Sequence, residues 1–72
     1  MVTIQLFSKS NGKPVSNTKV RVYEKGHGVY HEYTDSNGEA HFSSLSPCEG
    51  DVYVDGDTVY TGRLEGRTIV YS

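Results

Sequence analysis

The sequence predicts an all-β protein, an antiparallel β-sandwich of about seven short strands with no helices. Three observations favour this fold class. No segment repeats apolar residues at helical spacing. Val, Tyr and Thr dominate while Ala, Leu and Met are scarce, and β-branched and aromatic residues suit pleated sheets. Alternating runs are separated by Gly, Asn, Asp, Ser and Pro at roughly the 8–12-residue spacing that is typical of sandwiches.

Strict alternation predicts the first two strands. "VTIQLF" puts its three aliphatic residues on one face and Thr3 and Gln5 on the other. "SNGKP" supplies a turn at Asn11–Gly12. "TKVRVYE" then buries its two inner valines and exposes Lys19 and Arg21.

The middle of the chain predicts a hairpin. "VYHEYT" is a third strand with aromatic rings on both faces, and "EAHFS" is a fourth with Ala40 and Phe42 inward. In the "DSNG" turn between them, Asp35 caps the backbone and Asn37 or Gly38 takes a positive φ.

The last third predicts three more strands. "SLSPCEG" is interpreted as a loop, and "DVYVDGDTVYTG" as two strands joined by an Asp55–Gly56 hairpin turn. "GRTIVYS" is a short final strand. No linker or repeat interrupts this pattern, so residues 1–72 are expected to form a single small domain.

Composition excludes several stabilising devices and partners. The single cysteine, Cys48, rules out an internal disulfide and a cysteine-based zinc site. The formal charge of -2 comes from interspersed charges, so we expect no nucleic-acid partner. The N-terminus has neither the basic region nor the apolar stretch of a signal peptide or membrane span. We therefore expect no membrane association, and a cytoplasmic location unless the chain is a module of a longer exported protein.

Three segments in order, "GKPVSNTKVRVYE", "TDSNGEAHFSSLSP" and "GDVYVDG", resemble the signatures of carboxypeptidase regulatory-like and Cna-B-type modules. The resemblance implies a transthyretin-like (prealbumin-like), immunoglobulin-like β-sandwich. It also implies a non-catalytic accessory or adhesion-type module. We expect no cofactor. An intramolecular isopeptide bond, common in Cna-B modules, could use Lys9 and Glu39. However, the last strand lacks the Asn or Asp that the bond requires.

No pattern indicates an enzyme, because no nucleophile–base order or phosphate-binding loop is present. Cys48 precedes Glu49, an acidic neighbour that disfavours a thiolate. The alternating oxygens of "DSNGE" suggest calcium, but an EF-type loop needs Gly sixth and Glu twelfth. Counted from Asp35, these positions hold Ala40 and Ser46, so the turn interpretation is preferred.

The histidines give the alternative functional hypothesis. In the predicted hairpin, His31 and His41 would lie near each other on adjacent strands. With Glu32 or Glu39 they could bind a divalent metal. A small ligand-binding or metal-binding domain is therefore kept as an alternative.

The tyrosines give the leading hypothesis. Alternation sends Tyr23, Tyr53 and Tyr60 outward, and Tyr53 and Tyr60 flank the predicted Asp55–Gly56 turn as cross-strand neighbours. Exposed tyrosines suit a protein contact, although they also simply cover sheet faces. We predict a non-enzymatic module that binds a protein partner through this face, or a second copy through an edge strand.

Overall fold

Seven β-strands and no helix make up the computed structural model, which describes all residues from Met1 to Ser72. The strands are β1 (Val2–Phe7), β2 (Lys19–Glu24), β3 (Gly28–Tyr33), β4 (Glu39–Phe42), β5 (Cys48–Val54), β6 (Asp57–Leu64) and β7 (Gly66–Tyr71). The predicted all-β fold class is confirmed. No part of the chain is a helix of the length and apolar character needed to cross a membrane.

The strands form two sheets that pack face to face. The smaller sheet has the order β4-β1-β7 and the larger has the order β3-β2-β5-β6. All neighbouring pairs are antiparallel except β1 and β7, which run parallel from Val2↔Gly66 to Phe7↔Tyr71. This pair departs from the antiparallel pairing that is predicted for the sandwich and that all the other pairs follow. β1 and β7 are not joined by a hairpin turn, because five strands lie between them in the chain. Two strands that are connected in this way can pair in parallel.

The core lies between the sheets and is filled by the inward residues of each alternating strand. Twelve buried apolar residues form one cluster: Val2, Ile4, Leu6, Val20, Val22, Ala40, Phe42, Leu45, Val52, Val54, Leu64 and Val70. The predicted inward faces of β1, β2 and β4 are confirmed. Leu45 also packs in the core, although it lies in the loop before β5. Strand alternation does not extend to this loop and so does not predict its burial. Cys48 and Glu49, predicted to lie in that loop, begin β5 instead.

The connection between β3 and β4 crosses from one sheet to the other. β3 pairs only with β2, and β4 pairs only with β1. The predicted β3–β4 hairpin is therefore wrong, although its turn residues behave as expected. Buried Thr34 marks the last point at which the chain is tied to the larger sheet. Its backbone N–H donates to the carbonyl of Thr18, and its side-chain oxygen accepts the Thr18 N–H at 3.0 Å, which holds the chain beside the start of β2 before it leaves the sheet.

The β5–β6 hairpin contains a bulge. Val52 lies opposite Tyr60 while Tyr53 lies opposite Thr58, so Val59 is an extra residue on β6. A bulge of this kind shifts the alternation by one residue. The turn itself is as predicted, since Asp55 and Gly56 both take positive φ, 52° and 83°, as a two-residue hairpin turn of type I′ requires.

Gly38 and Gly12 offer a matched test of close packing. Both have a left-handed φ, +78° and +71°. A methyl group at Gly38 would lie 2.5 Å from the carbonyl oxygen of Leu6, whereas one at Gly12 would meet nothing within 4 Å. We expect Gly12→Ala to cost about 1–2 kcal/mol of backbone strain. Gly38→Ala should cost clearly more, because β1 must move. Urea unfolding of both variants measures this, and equal losses would contradict the packing at Gly38.

Candidate functional site

The outer face of the larger sheet carries an open groove of about 620 Å³. This volume exceeds those of the other depressions on the surface, which are about 460, 250 and 200 Å³. The residues around it come from β2, β3, β5 and the β5–β6 turn. They are Lys19, Arg21, Tyr23, Val29, Tyr53, Asp55 and Gly56.

Strand register brings the groove residues together. β2 has alternating exposed and buried positions, so Lys19, Arg21 and Tyr23 share the outer face. Arg21 is paired with Tyr53 on β5, and Tyr23 is paired with Val29 on β3. Residues that are opposite each other on adjacent strands lie close enough for their side chains to touch. Two of the three predicted binding tyrosines, Tyr23 and Tyr53, therefore line one groove.

The two tyrosine hydroxyls differ in their partners. The Tyr53 hydroxyl donates a hydrogen bond to Asp51 Oδ2 at 3.2 Å. Partial burial, together with the Asp51 carboxylate, raises the pKa of Tyr53 above its ordinary value. The Tyr23 hydroxyl has no hydrogen-bond partner within the protein. Its side chain is 38% exposed, so the ring offers both apolar area and a free hydroxyl.

Tyr60 does not join this face. Because of the bulge at Val59, Tyr60 lies opposite the buried Val52 rather than beside Tyr53. Its ring packs against the core, and its hydroxyl donates to the Arg63 carbonyl at 2.8 Å. The predicted Tyr53–Tyr60 cross-strand pair is wrong, since plain alternation cannot locate an inserted residue.

His31 and His41 are separated by the sheet switch. His31 is paired with Arg21 on the larger sheet, whereas His41 is paired with Thr3 on the smaller sheet. Each lies at an outward position, so the core separates them. The predicted pairing of the two histidines across a hairpin is therefore wrong, and they cannot share a metal ion.

His41 instead lies among two carboxylates on the smaller sheet. Its Nε2 atom is 3.6 Å from Asp35 Oδ2 and 3.7 Å from Glu39 Oε1. Its Nδ1 atom is hydrogen-bonded to Thr3 Oγ1 at 3.1 Å. Asp35, Glu39 and His41 offer three potential metal ligands within 4.8 Å of one another. Of the partners that the sequence predicts for His41, His31 lies on the other sheet, whereas Glu39 lies beside it.

Arg67 ties this cluster to the last strand. Its Nη2 atom is 2.7 Å from Glu39 Oε2, and Nη1 donates to Gln5 Oε1 at 3.3 Å. Glu39 thus pairs with Arg67 through Oε2, while its other oxygen, Oε1, faces His41. Lys9 forms no ion pair with Glu39, so the residues considered for an isopeptide bond are not brought together.

Cys48 is half-buried at the start of β5. Burial raises the pKa of its thiol, and the nearby Glu24 carboxylate adds to the effect. Glu24 also accepts a hydrogen bond from the Tyr30 hydroxyl at 2.9 Å. A raised thiol pKa disfavours the reactive thiolate form.

Comparison with protein-family models found no match, and comparison with curated proteins found no similar sequence. The resemblance to carboxypeptidase regulatory-like and Cna-B-type modules therefore stays a prediction.

Asp35 acts as the cap of the turn after β3, as its sequence context predicts. Its Oδ1 atom accepts hydrogen bonds from the backbone N–H groups of Asn37 at 2.9 Å and Glu39 at 3.0 Å. The Glu39 N–H is the main cause of a lowered pKa for the Asp35 carboxyl, with smaller contributions from the Asn37 N–H and from His41. The carboxylate is thus part of the local backbone structure.

This lowered pKa predicts an acid-sensitive contribution to stability. Because the folded pKa lies below the ordinary 3.8, the stabilisation is present above that value and is lost as the pH falls through the folded pKa. Asp35→Asn keeps an acceptor oxygen but removes the charge. We expect it to be less stable than the wild type at neutral pH and to show a smaller loss of stability below pH 3.8. Urea unfolding across this range measures the difference.

Asp57→Asn is the control, because the Asp57 side chain forms no hydrogen bond or ion pair. Its loss of stability below pH 3.8 should match that of the wild type. If Asp35→Asn and Asp57→Asn have the same pH dependence, the cap contributes no charge-specific stability.

Proposed function

We propose that this protein is a non-enzymatic interaction module that binds a short extended segment of a partner protein in the groove of the larger sheet. One observation carries the proposal. The largest open depression on the surface is lined by two outward tyrosines, Tyr23 and Tyr53, beside the exposed apolar side chain of Val29. The motif resemblance to accessory modules supports the same role, and with it we propose a transthyretin-like type of sandwich.

The chemistry of the groove favours binding over catalysis. Tyrosine combines a large apolar ring with a hydroxyl, and it is enriched at protein interfaces. The lining contains lysine, arginine, tyrosine, valine, aspartate and glycine, with no serine, cysteine or histidine to act as a nucleophile or its base. Paired strands fix the backbone positions from which these side chains project, so a partner need not order the backbone on binding.

A tyrosine replacement tests the binding surface. Peptides selected from a random displayed library against the wild-type chain should perturb NMR signals of β2 and β5. We expect Tyr23→Ala to weaken their binding at least about tenfold, as loss of a central aromatic contact does. Val29→Ser, on the exposed part of β3, should weaken binding as well, with less risk to folding.

Tyr71→Ala is the matched control. Tyr71 is also outward and exposed, but it lies on the smaller sheet, so its removal should leave peptide binding unchanged. Circular dichroism checks that each variant is folded. The proposal fails if the selected peptides perturb the smaller sheet, or if Tyr71→Ala and Tyr23→Ala have equal effects.

A second copy of the chain is the other partner that the strand arrangement accommodates. β3 is an outer strand of six residues that pairs only with β2, and such an edge can add a strand from another molecule. Analytical ultracentrifugation distinguishes the two cases. Concentration-dependent dimers that survive Tyr23→Ala would assign self-association to an edge rather than to the groove.

Divalent-metal binding is the second candidate function, with a different set of ligands from the predicted histidine pair. The observation in its favour is that Nε2 of His41 lies 3.6 and 3.7 Å from two carboxylate oxygens, a spacing close to that between neighbouring ligands of one small cation. Imidazole and carboxylate together suit zinc. The groove remains the leading proposal, because Arg67 already pairs with Glu39 and Asp35 already caps a turn.

A zinc titration tests this second candidate. Metal binding at the cluster requires that zinc raise the unfolding temperature of the wild type, since a ligand that binds only the folded state stabilises it. His41→Ala should abolish the rise. His31→Ala, on the opposite sheet, should leave it intact. No zinc effect, or an effect removed equally by both variants, would eliminate the cluster as a metal site.

A further inference from the structure

Two cations in the groove form no ion pair. Lys19 and Arg21 lie two residues apart on the outer face of β2, and neither takes part in an ion pair. The chain as a whole carries a formal charge of -2, whereas the lining of the groove holds these two cations and one carboxylate, that of Asp55. Like charges on neighbouring positions repel, and an anion placed between them would relieve that repulsion.

The hydrogen-bonding groups at this position are donors. Arg21 has a planar guanidinium that can hold both oxygens of a carboxylate. Lys19 adds an ammonium, and Tyr23 adds a hydroxyl with no partner inside the protein. The Tyr53 hydroxyl, opposite Arg21, already donates to Asp51. The donors therefore suit an anionic group from outside the chain.

Two carboxylates limit how much negative charge the groove accepts. Asp55 lines its end at the β5–β6 turn, and Asp51 lies beside Tyr53 on the same face of β5. A chain of phosphates would place further negative charges against these groups. One isolated carboxylate over Arg21 avoids them. The balance of charge thus favours a peptide with a single acidic side chain over a nucleic acid.

An apolar contact lies next to the cations. Tyr23 and Val29 are cross-strand partners, and Val29 is 59% exposed. Tyr23 is two residues from Arg21 along β2, a distance of about 7 Å at the rise of a strand. An extended peptide that lies along β2 has the same rise, and its side chains at positions two apart point to the same face.

Building on the proposed function, we infer that the partner segment is an extended peptide with one acidic residue two positions from an apolar residue. The carboxylate binds Arg21 and Lys19, and the apolar side chain packs on Tyr23 and Val29. The residue between them points away from the sheet and is free to vary.

Short synthetic peptides test this spacing directly. Two carry Leu-Ser-Glu or Glu-Ser-Leu between Gly-Ser flanks with blocked ends, one for each direction along β2. We expect at least one to bind the full chain, with NMR shifts at Lys19, Arg21 and Tyr23. Its Glu-to-Gln version should bind about tenfold more weakly, because a charge-assisted hydrogen bond is lost. A version with Leu and Glu adjacent should also bind more weakly, since the two side chains then face opposite ways.

Protein variants separate local from overall charge. Arg21→Gln should weaken the binding peptide about tenfold. Arg63→Gln removes the same charge from the same sheet but outside the groove, where Arg63 pairs with Glu65 at 3.3 Å. It should therefore leave the affinity unchanged. Equal losses in both variants would indicate general electrostatic attraction and would overturn the inferred site.

The outcomes distinguish this inference from the proposed function. If the Gln peptide binds as well as the Glu peptide and Tyr23→Ala still weakens both, the acidic specificity is wrong while the groove remains a binding surface. If neither Glu-containing peptide binds at millimolar concentration, the inference is overturned, and the displayed library decides the proposed function separately. Tighter binding of a single-stranded oligothymidylate at Arg21 would also overturn the inference, in favour of a nucleic-acid partner.

Discussion

The central position of β1 in the smaller sheet is the constraint on which the rest of the structure depends. This strand pairs with β4 on one side and β7 on the other, so it joins the first, middle and last parts of the chain. Val2, Ile4 and Leu6 on its inner face are completely buried. On its outer face, Thr3 hydrogen-bonds to His41 of β4. Gln5 hydrogen-bonds to Arg67 of β7 and to the turn that precedes β4. One strand thus organises both the core and the polar network outside it.

The two outer faces of the sandwich use their polar residues differently. On the smaller sheet, charged side chains bind one another, as in the ion pair between Arg67 and Glu39. On the larger sheet, Arg63 pairs with Glu65 outside the groove, whereas Lys19 and Arg21 form no ion pair and line the groove with Tyr23. Polar groups that are mutually satisfied gain few hydrogen bonds from a ligand, whereas free donors beside an exposed ring gain hydrogen bonds in addition to apolar burial. This contrast is why the groove, rather than the histidine cluster, leads the functional proposal.

Local sequence patterns predict many of the strand faces and turns. Alternation gave the inner faces of β1, β2 and β4, and Asp-Gly gave the turn between β5 and β6. The errors came from long-range features. After Tyr33 the chain could turn back beside β3 or cross to the other sheet. The choice depends on which strands are available to pair, and local sequence patterns do not indicate it. For this reason, the local pattern wrongly predicts that His31 and His41 lie together. No local sequence pattern marks the bulge at Val59 either. Because of this bulge, the predicted outward position of Tyr60 beside Tyr53 is wrong.

The parallel pairing of the first and last strands has a mechanical consequence. Met1 leaves the sheet beside the start of β7, and Ser72 leaves beside the end of β1, so the two termini lie at opposite ends of the pair, separated by about 20 Å of strand. Tension between the termini therefore acts along the strands. The hydrogen bonds of the β1–β7 ladder would share that load and would have to shear together, instead of opening one after another as in a hairpin pulled apart from its open end.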